Sequence, residues 1–118
     1  MFHYFKSIVD TEQTPVVICD LNHTILYVNP AAATQYGGTH LLGKSVMLCH
    51  KPESVKRINR VLEWFKEAPS HNRVHTIYLE KEEMDIYMVA LRNDIGELIG
   101  YFEKHEIRRK DATPFYQM

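Results

Sequence analysis

The chain is poor in the residues that carry the commonest chemistries. Its only cysteines are Cys19 and Cys49, with no CxxC spacing, so a closed zinc site lacks its donor set. Two isolated thiols are expected to stay unpaired in a reducing compartment. No apolar run approaches the ~20 residues needed to cross a bilayer. Nor does Met1-Phe2-His3-Tyr4-Phe5-Lys6 have the basic-then-apolar layout of a signal peptide. The expectation is a cytoplasmic protein with no membrane partner. Its five glycines form no phosphate-binding loop, and there is no nucleophile elbow or kinase phrase. An enzyme is therefore not expected. There is no excess of positive charge either: the formal net charge is -1. Phosphate binding needs a concentrated basic surface, so nucleic acid is not expected as a partner. The single basic run, Arg108-Arg109-Lys110, reads as a solvated terminal stretch.

What is present fits one ordinary globular domain: 118 residues, 45% hydrophobic and 25% charged. Phe2, Phe5, Ile8 and Val9 recur at near-helical spacing, and Thr14-Pro15 ends that pattern. The run Val16 to Leu21 and the run Thr24 to Val28 read as strands joined by a polar turn, an antiparallel hairpin. Pro30 suits the first turn of a helix, Ala31-Ala32-Ala33 extends it, and Gly37-Gly38 stops it. After a short irregular connection, Pro52 opens the longest helical pattern. Val55, Ile58, Val61, Leu62 and Phe65 form one apolar stripe along it. Val74 to Leu79, Met84 to Leu91 and Leu98 to Ile107 read as three more strands. Strands split around a helical insert predict an α+β fold: a five-stranded antiparallel sheet with helices on one face and an N-terminal flanking helix. The expected divisions are that helix at residues 1–10, a core at 14–107 and a C-terminal tail at 108–118.

Three phrases, in this order, resemble the PAS family. "CDLNHTILYVNPAAATQYGG" is similar to the family's opening hairpin and short helix. "LLGKSVMLCHKP" is similar to its connection into the long helix. "DIYMVALRNDIGELIGYFEKHEI" is similar to its final hairpin. The phrase Cys49-His50-x-Pro52 also resembles a bacterial subgroup found beside hemerythrin-like domains; no such neighbour stands in these 118 residues, so a free-standing bacterial sensor domain is expected. The resemblance implies a cavity between helices and sheet, and a protein that works by binding. Fold resemblance alone does not supply a ligand.

Cofactor chemistry is weighed against that resemblance. The light-sensing subgroup carries its reactive cysteine three places earlier than Cys49, so a photoactive flavin is not expected. Oxygen-sensing members place a histidine well inside the long helix, where this chain reads Glu63-Trp64-Phe65. If haem binds at all, His50 is the expected ligand and Cys49 the fallback. The plainer reading makes Cys49 a small buried hydrophobe and His50 a helix-capping or exposed residue, with no metal site. Seven histidines, at 3, 23, 40, 50, 71, 75 and 105, read mainly as surface loop residues, with a pH response open to them. The carboxylates Glu80, Glu82, Glu83 and Asp85 read as a solvated cluster on a hairpin turn.

The candidate ligand pocket comprises Met47, Cys49, His50, Ile58, Leu62, Phe65, Met88, Ala90 and Phe102. On the fourth strand Ile86, Met88 and Ala90 share one face and Tyr87, Val89 and Leu91 the other. Both sets are apolar, so sequence leaves open which faces the cavity. Two functions stand. One is a sensor that binds a small molecule or cofactor and signals through protein contact. The other is a ligand-free interaction module whose core is filled by side chains. In both, Phe2, Phe5, Ile8 and Val9 are the expected homodimer interface, and a signalling protein is a further expected partner.

Overall fold

β-Branched residues build the first strand, β1 (Val16–Asp20), and its partner β2 (Ile25–Val28). The structure, a computed structural model, describes residues 1–116 and, among these, every side chain but that of Cys49. Asp20 makes the turn between the two strands. Its Oδ1 accepts hydrogen bonds from the amides of Asn22 and Thr24, both at 2.9 Å. This is why β1 stops one residue short of the expected Leu21. Thr24 pairs with Ser45 instead of extending β2.

Asn29 organises the next junction, and it is fully buried. Its Oδ1 accepts from the Val16 amide at 2.9 Å and from the Ala32 amide at 3.0 Å. The second bond caps helix α2 (Pro30–Gln35), whose first position is Pro30. Its Nδ2 donates to the carbonyls of Val9 and Thr14, each at 3.1 Å. One side chain thus ties β1, α2 and the end of the N-terminal helix α1 (Phe2–Thr11). Gly37 and Gly38, at φ of 83° and 125°, terminate α2 where other residues would be strained. A 3-10 turn at Val46–Cys49, capped by Ser45, leads into helix α3 (Pro52–Glu67).

Strands β3 (Arg73–Leu79), β4 (Met84–Arg92) and β5 (Leu98–Ile107) complete one antiparallel sheet of order β2-β1-β5-β4-β3. The first hairpin therefore joins the last strand, a long-range pairing that closes the fold. Directly opposed residues share a face. Val17 and Met88 both oppose Glu103, while Cys19 and Ala90 oppose Tyr101. Those residues face α3, whose buried Ile58, Val61, Leu62 and Phe65 complete the core. Each fully buried side chain of this size contributes ~1.5–3 kcal/mol. The opposite face carries Ile18, Val89 and Phe102 in register, with α1 lying beside it.

Three expectations are corrected here. Asp85 belongs to β4, not to a turn, and it is buried. Arg108 is not solvated free charge: it grips Asp85 through Nε at 3.0 Å and Nη2 at 2.5 Å. His75 Nε2 reaches the same carboxylate at 2.8 Å, and Arg108 lies over the Tyr78 ring at 3.9 Å. The Arg108 guanidinium holds the Asp85 carboxyl below the usual carboxylate range. Four of the seven histidines, at 23, 40, 50 and 71, lie in loops or turns as expected, but His105 does not. His105 is buried in β5, with Nδ1 3.3 Å from the Pro15 carbonyl, and burial lowers its pKa. Beyond Arg108 the described tail has no regular structure, and Phe115 is 94% exposed. Gln117 and Met118 of the expected tail lie outside the described residues.

Candidate functional site

Sheet pairing and helix packing bring His50 and Glu103 together. The 3-10 turn positions His50: its Nδ1 lies 2.9 Å from the Val46 carbonyl, to which it donates. That bond orients the ring so that Nε2 lies 3.9 Å from Glu103 Oε1. Glu103 sits on the inner face of β5, mostly shielded from water. Beyond this distant imidazole, no hydrogen bond to its carboxylate is made among the described residues. Burial raises its pKa, and His50 opposes the rise only in part.

Two neighbouring cavities share this pair. The smaller, about 60 Å³, has a polar wall of His50, Ser54, Arg57 and Glu103. Its apolar wall is Ile58, Ile77, Ile86 and Met88, with Thr76 beside them. The larger, about 230 Å³, lies under the loop after α2 and is lined by Val17, Ile25, Tyr36, Leu41 and Val46 besides the shared pair. Arg57 projects from α3 and makes no hydrogen bond or ion pair among the described residues.

A second polar chain crosses the core beside these cavities. His23 Nδ1 is 2.8 Å from the Tyr101 hydroxyl, and Nε2 is 3.1 Å from Asn59 Oδ1 on α3. Cys19 lies directly opposite Tyr101 in the sheet. Burial pushes Cys19 up to about 12 and raises Tyr101 as well, so both stay protonated at neutral pH. Cys19 is thus a packed thiol, not a nucleophile.

The expected pocket residues separate into groups. His50, Ile58 and Met88 line the smaller cavity. Leu62 and Phe65 are buried in the core and line neither cavity. Met47 and Ala90 pack against the same core. The side chain of Cys49 lies outside what the structure describes. Phe102 is misplaced in the expectation: it opposes Ile18 and Val89 on the outer face, beside Ile8 and Val9 of α1. Strand parity decides this, since Tyr101 and Glu103 take the inward positions. Glu103, Arg57 and Ser54 were missed. No signal in the sequence singled out Glu103, because Lys104, His105 and Glu106 follow it in the same strand and the direction of each depends on register.

The chain's own residues do not fit a haem. His50 Nε2 faces the Glu103 carboxylate, and cavities of 60 and 230 Å³ fall below the roughly 300–1,000 Å³ of drug-sized ligand sites.

The comparisons agree with this architecture. A family model described as a PAS domain matches residues 13–115. The chain belongs to the PAS domain family. Among solved structures, the PAS domain of a protein from Colwellia psychrerythraea superposes with a TM-score of 0.66 at 15% identity, covering 92% of this chain and 98% of that one. The PAS domain of BvgS from Bordetella pertussis gives 0.63 at 15%, covering 94% and 88%. The Aer2 receptor from Vibrio cholerae, described as a dual PAS-heme oxygen sensor, gives 0.54 at 21%, covering 78% and 91%. At such identities the likeness shows the fold alone. Among curated proteins, none matches this sequence significantly. PAS domains are sensory and signalling modules in related proteins. No helix among the described residues is long and apolar enough to cross a membrane.

Proposed function

We propose that this chain is a sensor that admits a small molecule between sheet and α3 and reports its state by contact with another protein chain. It acts by binding, without catalysis. The observation that carries the reading is the pair of cavities around His50 and Glu103, left unfilled by the core side chains. A filled-core interaction module has no use for a shielded carboxylate that lacks a hydrogen-bond donor, because such a group costs stability. The reading also places the protein in the cytoplasm, where Cys19 would remain a free thiol.

Contact with a second copy is the output we favour. Phe2, Phe5 and Ile8 are 71%, 59% and 62% exposed, with Val9 half-buried. Bonds from Tyr27 to Asp10 and from Asn29 to the Val9 carbonyl hold α1 beside its own sheet. Between them runs an apolar groove of about 330 Å³, lined by Phe2, Phe5, Val9, Ile18 and Leu26. Ridge and groove thus lie on one patch, as a two-fold interface requires. Isolated apolar patches of this kind mark association sites.

Xenon pressure tests the cavity. Methyl resonances of Met88 and Ile86, recorded on the purified protein, are expected to shift as xenon enters. Unmoved methyls would favour the filled-core module. Light scattering tests the dimer: the full chain is expected to be dimeric at micromolar concentration and a chain starting at Thr11 monomeric. A monomeric full chain overturns the interface.

A further inference from the structure

We infer that the smaller cavity is a site for a small zwitterion, an α-amino acid about the size of alanine. The inference rests on the small-molecule reading above and assigns the chemistry of that site. Its polar wall carries one carboxyl group, Glu103, and one guanidinium, Arg57, that has no partner among the described residues. They come from opposite walls, Glu103 from β5 and Arg57 from α3. Although they share a cavity, they do not form an ion pair with each other. A ligand with an ammonium at one end and a carboxylate at the other satisfies both. Guanidinium suits a carboxylate because its forked donors match the two oxygens. An ammonium supplies the donors that the Glu103 carboxylate lacks, and a bound cation draws that carboxyl back toward its ionised form.

The remaining lining fits the rest of such a molecule. Ser54 stands one helical turn from Arg57, so its hydroxyl extends the same polar wall. His50, fixed by the Val46 carbonyl, offers Nε2 next to Glu103. Ile58, Ile77, Ile86 and Met88 supply apolar surface for a short side chain. Size sets the limit. At ~30 Å³ for a water's share of liquid volume, a cavity of about 60 Å³ holds roughly two waters, so only the smallest α-amino acids are candidates.

A single charge is the natural alternative, and the two half-ligands isolate it. A monocarboxylate would meet Arg57 but leave Glu103 unpaired and repelling. A monoamine would meet Glu103 and leave Arg57 idle. Discrimination between a full ligand and an analogue lacking one charged group is large when the partner group is left unpaired in a shielded site.

The test is a titration of the full-length protein at pH 7 with L-alanine, propionate and ethylamine. The Met88 methyl resonance, assigned by its loss in Met88→Leu, is the readout. Alanine is expected to shift it, with both fragments binding at least about tenfold more weakly. Glu103→Gln should bring alanine down to the affinity of propionate, and Arg57→Met to that of ethylamine. Propionate or ethylamine binding as tightly as alanine overturns the assignment. So does a methyl that moves under xenon but not with alanine, an outcome that leaves the sensor reading standing. A methyl indifferent to both removes the two together. Because the variants keep near-native shape, their own xenon response reports whether the cavity survived the substitution.

Discussion

Arg92, the last residue of β4, closes the end of α3 that lies away from the cavity. Its Nη2 donates to the carbonyls of Phe65 at 2.7 Å, Ala68 at 3.2 Å and His71 at 3.3 Å. Its Nε donates to Asn72 Oδ1 at 2.7 Å, and Nη1 to the Gly96 carbonyl at 3.1 Å. Phe65 lies in the last turn of α3 and Ala68 is its C-cap. Carbonyls there have no intrahelical partner and carry the negative end of the helix dipole. Arg92→Ala removes all five bonds. Asn72 and Gly96 are exposed and rehydrate at little cost. The three part-buried carbonyls share one nitrogen, so they count as one to two charge-assisted bonds at about 1.5–3 kcal/mol each. The expected loss is about 2–4 kcal/mol, or ~8–16 °C in Tm for a domain of this length. Thermal melts followed by circular dichroism, with urea midpoints alongside, measure it. Arg92→Lys should recover half of the loss or less, since an ammonium keeps the charge but not the planar fork. An Arg92→Ala melt within about 2 °C of the parent, or full recovery by lysine, refutes the reasoning.

Two further predictions concern the sheet. A Cβ added at Gly100 would lie 2.3 Å from the Cys19 carbonyl oxygen, which is backbone and cannot swing aside. Gly100→Ala should force β1 and β5 apart and cost at least about 1–3 kcal/mol, and a parent-like urea midpoint contradicts that. Glu103 should make stability fall with rising pH. Its folded pKa is raised above the ordinary value of 4.5, so the folded state holds the proton longer than the unfolded chain does. That contribution is complete below the ordinary value and disappears as pH rises through the folded one. Glu103→Gln keeps the shape without the charge. In ligand-free protein its advantage over the parent should therefore widen as pH rises above 4.5; Arg57, Cys19 and Tyr101 also face the site, and His50 limits the gain without reversing it, since it offsets the effect of burial only in part. Denaturation midpoints from pH 4 to 8 that differ by a constant amount argue against a shielded carboxylate.

By itself the sequence determined the elements and their order. The α3 stripe of Ile58, Val61, Leu62 and Phe65 is buried as its spacing requires, and Asn29-Pro30 and Gly37-Gly38 bound α2 where local chemistry puts them. These features depend on neighbours a few residues away, so a linear reading reaches them. The faces of the strands were different. Side chains alternate with a period of two, and a shift of one residue exchanges the two faces. In β5 both alternating sets, Tyr101-Glu103-His105 and Phe102-Lys104-Glu106, mix an aromatic with charged or polar residues, so composition does not choose between them. Pairing with β1 and β4, strands remote in the chain, turns Glu103 inward and Phe102 outward. The same remoteness hid Arg108 on Asp85, His23 on Tyr101, and Arg57 across the cavity from Glu103. Only the folded sheet brings these groups together, because the energy that selects its register is spread over the whole core and is not written in any one segment.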